Sequence, residues 1–171
     1  APAARCSRPA EPDRRREPRA RRGSRSARGA LAAARALIDG DMVVYMACAA
    51  QQITGDFGDG QGDTVMFDVE EATHGAMRLI RRWTKDAGCS LSIVCFSEGA
   101  NFRKLIYPEY KANRTGEKPE AYLAVKEAIE IEHEVWAIEG LEADDVMGIA
   151  GTRDPNNFVV VSRDKDMLTL P

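Results

Sequence analysis

From residue 36 onward the chain alternates short apolar runs with longer stretches in which apolar residues recur every three or four positions. ALID (36–39) reads as a short strand, and after a turn at Gly40-Asp41 the run MVVYMACAA continues as a buried helix. QQITGDFGDGQGD is rich in glycine and aspartate and reads as a solvated loop. Asp56, Asp59 and Asp63 lie in it without the ligand pattern or closing glutamate of a calcium loop. DVEEATHGAMRLIRRWTKDAG predicts an amphipathic helix with Ala72, Ala76, Leu79, Ile80 and Trp83 on one side, His74 at its surface or boundary and Gly88 as its stop. LSIVCFS is an apolar run of strand length. A basic segment, the helix EAYLAVKEAIEIEH, the strand EVWAIEG, a helix opening at EADD and the strand NFVVVS complete the chain. The order β-α-β-α-β-α-β implies an α/β fold with a parallel central sheet and helices on both faces.

The first 36 residues do not share this pattern. They carry 11 Arg against 3 acids, with Pro, Ala and Ser making up most of the rest, whereas residues 37–171 carry 13 Lys and Arg against 24 acids. The first part reads as a disordered extension, able to hold nucleic acid electrostatically, to act as a transit-type segment or to be a non-native extension. Residues 37–171 form the folded domain. No apolar run approaches the roughly 20 residues of a membrane span, and no signal-peptide core is visible at the N-terminus. Cys6, Cys48, Cys89 and Cys95 show no paired metal-ligand spacing, and the last three stand in apolar or element-end contexts that suit a reduced cytoplasmic protein.

The candidate chemistry lies in the acids. Carboxylates in the first turn of a helix are favoured by its free N–H groups, which is an ordinary explanation for EADD taken alone. The wider distribution adds something. Asp39 ends the first strand, Ser97-Glu98 the second, Glu142 to Asp145 follow the third, and Asp164 and Asp166 follow the fourth. The carboxyl ends of a parallel sheet form its ligand-binding crevice, so four separate stretches point at one pocket. Such a cluster calls for cations, and oxygen donors without His or Cys select Mg²⁺ or Mn²⁺. Divided between two ions, it suits phosphodiester hydrolysis. Between the second and third acidic stretches, NFRKLIYPEYKANRTGEKP supplies Arg103, Lys104, Lys111, Arg114 and Lys118 with Tyr107 and Tyr110 interleaved, a combination that binds phosphates and stacks on bases.

LIDGD, FRKLIYPEYKANR, GLEADD and SRDKDM, in this order, resemble the 5′→3′ exonuclease and flap endonuclease family, in particular its bacteriophage branch, over roughly residues 36–171. The resemblance implies a PIN-like nuclease core with a helical arch, acting as a monomer on DNA with a single-stranded 5′ end or flap, or on the RNA strand of hybrids, with two Mg²⁺ or Mn²⁺ ions. It further implies Asp39, Glu142, Asp144, Asp164 and Asp166 as metal ligands, with Asp145 ligating directly or through water. Lys111 and Arg114 would belong to the arch, Lys111 stabilising charge on the scissile phosphate and Arg114 binding phosphate, with Arg103 doing likewise at the arch base and Tyr110 stacking on the terminal base. Lys111 and Arg114 would share a helical face if YKANR becomes helical. Many relatives have an Asp at the end of the second strand, where this chain has Ser97 followed by Glu98, making Glu98 a displaced ligand or leaving its place to water. Relatives also continue past SRDKDM into a helix-hairpin-helix region, so the chain reads as the N-terminal part of such a nuclease. Two other readings stay open. A haloacid-dehalogenase-type phosphatase would use the DGD aspartates but leaves EADD and YKANR without a role, and a non-catalytic nucleic-acid-binding fragment would use only the basic segments.

Overall fold

A computed structural model describes residues 34–56, 63–113 and 118–170; the expectations for residues 1–33, for Asp59 and for Arg114 lie outside them. Four strands form a parallel sheet in the order β5-β4-β1-β6: β1 is Arg35–Asp39, β4 Leu91–Glu98, β5 Val135–Glu139 and β6 Phe158–Val161. β1 is central, with Asp39 level with Cys95 of β4. Its side chains alternate between the two faces, as strand geometry requires. Ala36 and Ile38, with Val94 and Phe96 of β4, face α1 (Gly40–Gln51), α2 (Val69–Asp86) and α4 (Tyr122–Glu132). Leu37, Ile93 and Cys95 face α5 (Ala143–Arg153) through Val146 and Met147. Helices therefore cover both faces, and the three described cysteines are free and buried.

Local sequence accounts for the helix ends. Asp39 caps α1 by accepting from the Met42 N–H at 3.0 Å, and Asp68 caps α2 by accepting from the Glu71 N–H at 2.9 Å. Gly88, with φ of 73°, lets the chain leave α2 in the left-handed conformation. Gly40 serves closeness rather than a turn, since it is already helical. A Cβ there would lie 2.7 Å from the Phe96 and Val94 side chains and 2.8 Å from the Cys95 carbonyl oxygen. The absent side chain lets α1 start hard against β4.

Two expectations are corrected. The glycine- and aspartate-rich stretch is not wholly loop, because Ile53–Asp56 (β2) pairs antiparallel with Asp63–Met66 (β3), placing Ile53 opposite Met66 and Asp56 opposite Asp63. Ile53, Thr54, Thr64 and Val65 favour extended backbone and outweigh the neighbouring turn residues. Among its described residues the basic segment contains one short helix, α3 (Phe102–Ile106), after which residues 108–113 form turns and Lys111 adopts φ of 55°. A left-handed residue cannot continue a right-handed helix, so Tyr110-Lys111-Ala112 is not helical. After β6 a 3₁₀ turn spans Lys165–Thr169.

Candidate active site

The carboxyl edge of the sheet is built by two neighbouring connections. The Gly140 N–H donates to the Glu98 carbonyl at 2.9 Å, and the Glu98 N–H donates to the Leu141 carbonyl at 3.1 Å. These bonds tie the end of β4 to the turn after β5, where Gly140 has φ of 81°, a conformation open to glycine. The turn delivers Glu142 to the N-cap of α5 and Asp144 to its first turn. Beside them Asp39 ends β1 and Asp164 caps the 3₁₀ turn, accepting from the Asp166 N–H at 3.0 Å.

Asp39, Asp41, Glu142, Asp144 and Asp164 line a single cavity of about 480 Å³ together with Ser97, Lys111, Lys118, Tyr45 and Tyr122. Of the residues expected as ligands, Asp39, Glu142, Asp144 and Asp164 are thus gathered in one cleft. Asp145 and Asp166 are not in its lining: Asp166 is exposed on the 3₁₀ turn, and the Asp145 carboxylate forms a two-pronged pair with Arg103, both contacts at 2.6 Å. Glu98 lies outside the lining as well, 3.4 Å from the Lys126 ammonium.

The basic segment reaches this cleft by its descending end. Lys111 Nζ donates to Glu142 Oε1 at 2.5 Å, and the Tyr110 hydroxyl donates to Glu142 Oε2 at 3.0 Å. Lys118 lies over the Tyr122 ring at 4.1 Å from its centroid. Lys104 and Tyr107 are exposed away from these contacts, with the Tyr107 hydroxyl on Glu109 at 2.9 Å.

The charges respond to this arrangement. Burial, with Asp144 and Asp41 nearby, pushes Asp39 up to about 6 from an ordinary 3.8, even though it accepts from Met42 and Ser162. Asp144 is also raised, first by burial and then by Asp164 and Glu142. Burial would raise Glu142 too, but Lys111 and Tyr110 outweigh it and hold this carboxyl below the usual range. Arg103 does the same for Asp145. Asp144 Oδ1 is buried and has no hydrogen-bond partner, and among the described residues it shares this state with Arg35 Nε and Asn101 Nδ2, neither of which lines the cleft. A buried acceptor left bare is costly, and next to like charges it asks for a cation.

That oxygen, and a lining whose acidic donors are all carboxylates, fit a hard divalent ion. As the side chains stand, no group of three or more acidic, His or Cys residues among those described is placed to hold an ion; Lys111 occupies Glu142 and Arg103 occupies Asp145. Sequence reasoning did not assign Asp41, Tyr45 or Tyr122 of the lining to the nuclease site, and Asp41 entered only in the phosphatase reading. Its only signal was the second aspartate of DGD.

Fold and site together define an α/β domain with an acidic cleft at its parallel-sheet edge, flanked by a basic crossover. The family described as 5′-3′ exonuclease, N-terminal resolvase-like domain, matches residues 34–171, and the chain belongs to it. It is similar to a 5′-3′ exonuclease of Buchnera aphidicola subsp. Schizaphis graminum, 31% identical over 108 residues, which cover 58% of this chain and 38% of that protein. The chain thus matches well under half the length of that curated relative. Among solved structures it resembles bacteriophage T5 5′-exonuclease with zinc ions bound, at a TM-score of 0.55 and 17% identity, covering 80% of this chain and 51% of that one. It also resembles a bacteriophage T5 flap endonuclease complex with DNA and metal ions, at a TM-score of 0.52 and 16% identity over 77% and 49% of the two chains. These two likenesses establish a shared fold. None of the described helices is long and apolar enough to cross a membrane.

Proposed function

We propose that this chain carries the metal-binding and phosphate-handling part of a 5′→3′ nuclease that hydrolyses DNA phosphodiester bonds at single-stranded 5′ ends or flaps. The observation that carries this reading is the bare, buried Asp144 Oδ1 in a cleft it shares with Asp39, Glu142 and Asp164. These four would hold Mg²⁺ or Mn²⁺, with Asp145 and Asp166 behind them. Two ions so bound supply an activated water and charge stabilisation at the leaving oxygen. Lys111 moves from Glu142 to the phosphate being cleaved, while Lys118 holds a neighbouring phosphate and Tyr110 offers a ring for stacking. Arg103 keeps Asp145 in place at the base of the basic segment, and Arg114 is assigned to phosphate by its sequence position alone. DNA as substrate gains support from the likeness to the bacteriophage T5 flap endonuclease, which was solved with DNA and metal ions.

The phosphatase reading would need Asp41 as a proton donor, yet each of its oxygens already accepts a hydrogen bond, from Ser97 and from Tyr122. The deciding experiment titrates Mn²⁺ into the chain by calorimetry. In parallel it follows cleavage of a 5′-labelled flap in Mg²⁺, with the chain and with its reading frame carried further, each beside an Asp144→Asn control. Metal binding and cleavage, both lost in the control, are expected. Mn²⁺ binding unaffected by Asp144→Asn would overturn the assignment of the cleft, and binding of Mn²⁺ and DNA without cleavage by either length would favour the non-catalytic reading.

A further inference from the structure

Asp41 lines the cleft two residues after Asp39, and composition alone would count it as one more ligand. Its surroundings differ from those of Asp144, whose Oδ1 has no partner. Oδ2 accepts from the Ser97 backbone N–H at 3.0 Å, and Oδ1 accepts from the Tyr122 hydroxyl. The hydroxyl of the same Ser97 accepts from the Ala143 N–H at 3.0 Å, and Ala143 lies between Glu142 and Asp144. Tyr122 is the first residue of α4, is only 4% exposed, and presents its ring face to the Lys118 ammonium. A run of three hydrogen bonds therefore joins four elements: the start of α4, the first turn of α1, the end of β4 and the start of α5.

Resting on the nuclease reading above, we propose that Asp41 is a positioning residue and not a metal ligand. It fixes the Tyr122 ring, and through that ring Lys118, at a set place beside the carboxylates that α5 presents. Asp144 has a bare oxygen to offer a cation; both oxygens of Asp41, like those of Asp39, accept from the scaffold, and those of Asp41 tie its helix to two other elements, β4 and α4. Buried polar links of this kind locate one element against another when every member is satisfied. Here the located object is a cation that would meet a substrate phosphate. Asp41 and Tyr122 then act on DNA through Lys118, while Asp39, Asp144 and Asp164 act through metal.

The test uses the full 171-residue chain and separates these two routes. Mn²⁺ affinity is measured by calorimetry, and affinity for a single-stranded oligonucleotide by anisotropy in Ca²⁺, which limits turnover. The variants are Asp41→Asn, Tyr122→Phe, Lys118→Ala and the Tyr122→Phe/Lys118→Ala double. Asp41→Asn preserves shape and one acceptor, Tyr122→Phe preserves the core ring, and the folding of each variant is checked by its thermal transition. Asp41→Asn and Tyr122→Phe are expected to leave Mn²⁺ affinity within about twofold and to weaken DNA binding by about three- to tenfold, the range of one buried hydrogen bond. The double variant should bind DNA no worse than Lys118→Ala alone, because the ring acts through that lysine. A tenfold or greater loss of Mn²⁺ affinity in Asp41→Asn would overturn the proposal by making Asp41 a ligand. Additive losses in the double variant would overturn it by uncoupling Tyr122 from Lys118. A chain that binds no Mn²⁺ at all refutes the nuclease reading, whereas the oligonucleotide cycle still reports separately on whether Tyr122 acts through Lys118.

Discussion

Asp39 combines three circumstances that act on one proton: it is 6% exposed, it caps α1, and it faces Asp144 and Asp41. Because its folded value, about 6, exceeds the ordinary 3.8, the native state binds this proton more tightly than the unfolded chain. The associated stability is complete below the lower value and is lost as pH rises through the upper one. Without metal, the chain is expected to lose about 3 kcal/mol from this group between roughly pH 4 and pH 7, since each tenfold difference in proton affinity is worth about 1.4 kcal/mol. Denaturant midpoints measured across this range with EDTA present should show the loss, and Asp39→Asn should flatten that part of the profile. An equally steep profile in the variant would assign the effect elsewhere. At the next position, Gly40→Ala is expected to destabilise by about 1–3 kcal/mol through overpacking against Phe96 and Val94, a loss that better helix propensity does not offset. A denaturant midpoint unchanged by Gly40→Ala would mean that α1 can shift without cost. Asp39 was legible from sequence, because an apolar run stopping at an acid marks both the strand and the crevice, whereas Glu98, read by the same rule, lies outside the cleft. Asp41 was not legible, because an aspartate in a first helical turn looks like an ordinary macrodipole partner until its contacts with Ser97 and Tyr122 are seen.

Between the strands, periodicity identified α1, α2, α4 and α5 and all four members of the parallel sheet, because each buries a stripe or face large enough to impose its own spacing. It failed where the backbone is set by distant partners. β2 and β3 pair across a glycine-rich connection, and their register depends on each other more than on local preference. Lys111 takes φ of 55° in the segment where its ammonium reaches Glu142, an acid 31 positions further along the chain. Spacing from Lys111 to Arg114 could not reveal that contact. The docked segment makes a prediction of definite sign: Lys111 sits on a carboxylate that metal would use, so lysine and metal compete for Glu142. Lys111→Ala is expected to bind Mn²⁺ about three- to tenfold more tightly, as removal of a competing charge-assisted bond of about 1 kcal/mol would do, while cleavage by the extended chain falls. Calorimetry beside single-turnover cleavage would check both, and weaker Mn²⁺ binding in Lys111→Ala would show that the lysine assists the site instead of competing for it.

At the scale of the whole chain, charge is divided rather than balanced. Residues 37–171 hold 24 acids against 13 Lys and Arg, while residues 1–36 hold 11 Arg against 3 acids. A polyanion approaching the acidic part meets net repulsion, relieved locally by the basic crossover and, were metal to bind there, at the cleft. The Arg-rich part supplies the opposite field from the same chain. Affinity for DNA that comes from phosphate neutralisation falls with salt in proportion to the number of phosphates contacted, by a slope close to 0.7 per contact for a single strand. Residues 34–171 include the entire match to the nuclease family and all of the described elements, so comparison with the full chain isolates the Arg-rich part. The full chain is expected to bind a single-stranded oligonucleotide more tightly at low salt, with a log–log salt slope steeper by about 3 or more, the equivalent of at least four or five extra phosphate contacts. The two curves should converge near 0.5 M salt, where screening leaves roughly the contacts made by the folded part. Asp144→Asn should leave the difference between the two slopes unchanged, because Asp144 lies in the part that both proteins share. Equal slopes for the two proteins would mean that the arginines of the first 33 residues do not engage DNA, and that the crossover alone sets the electrostatics of binding.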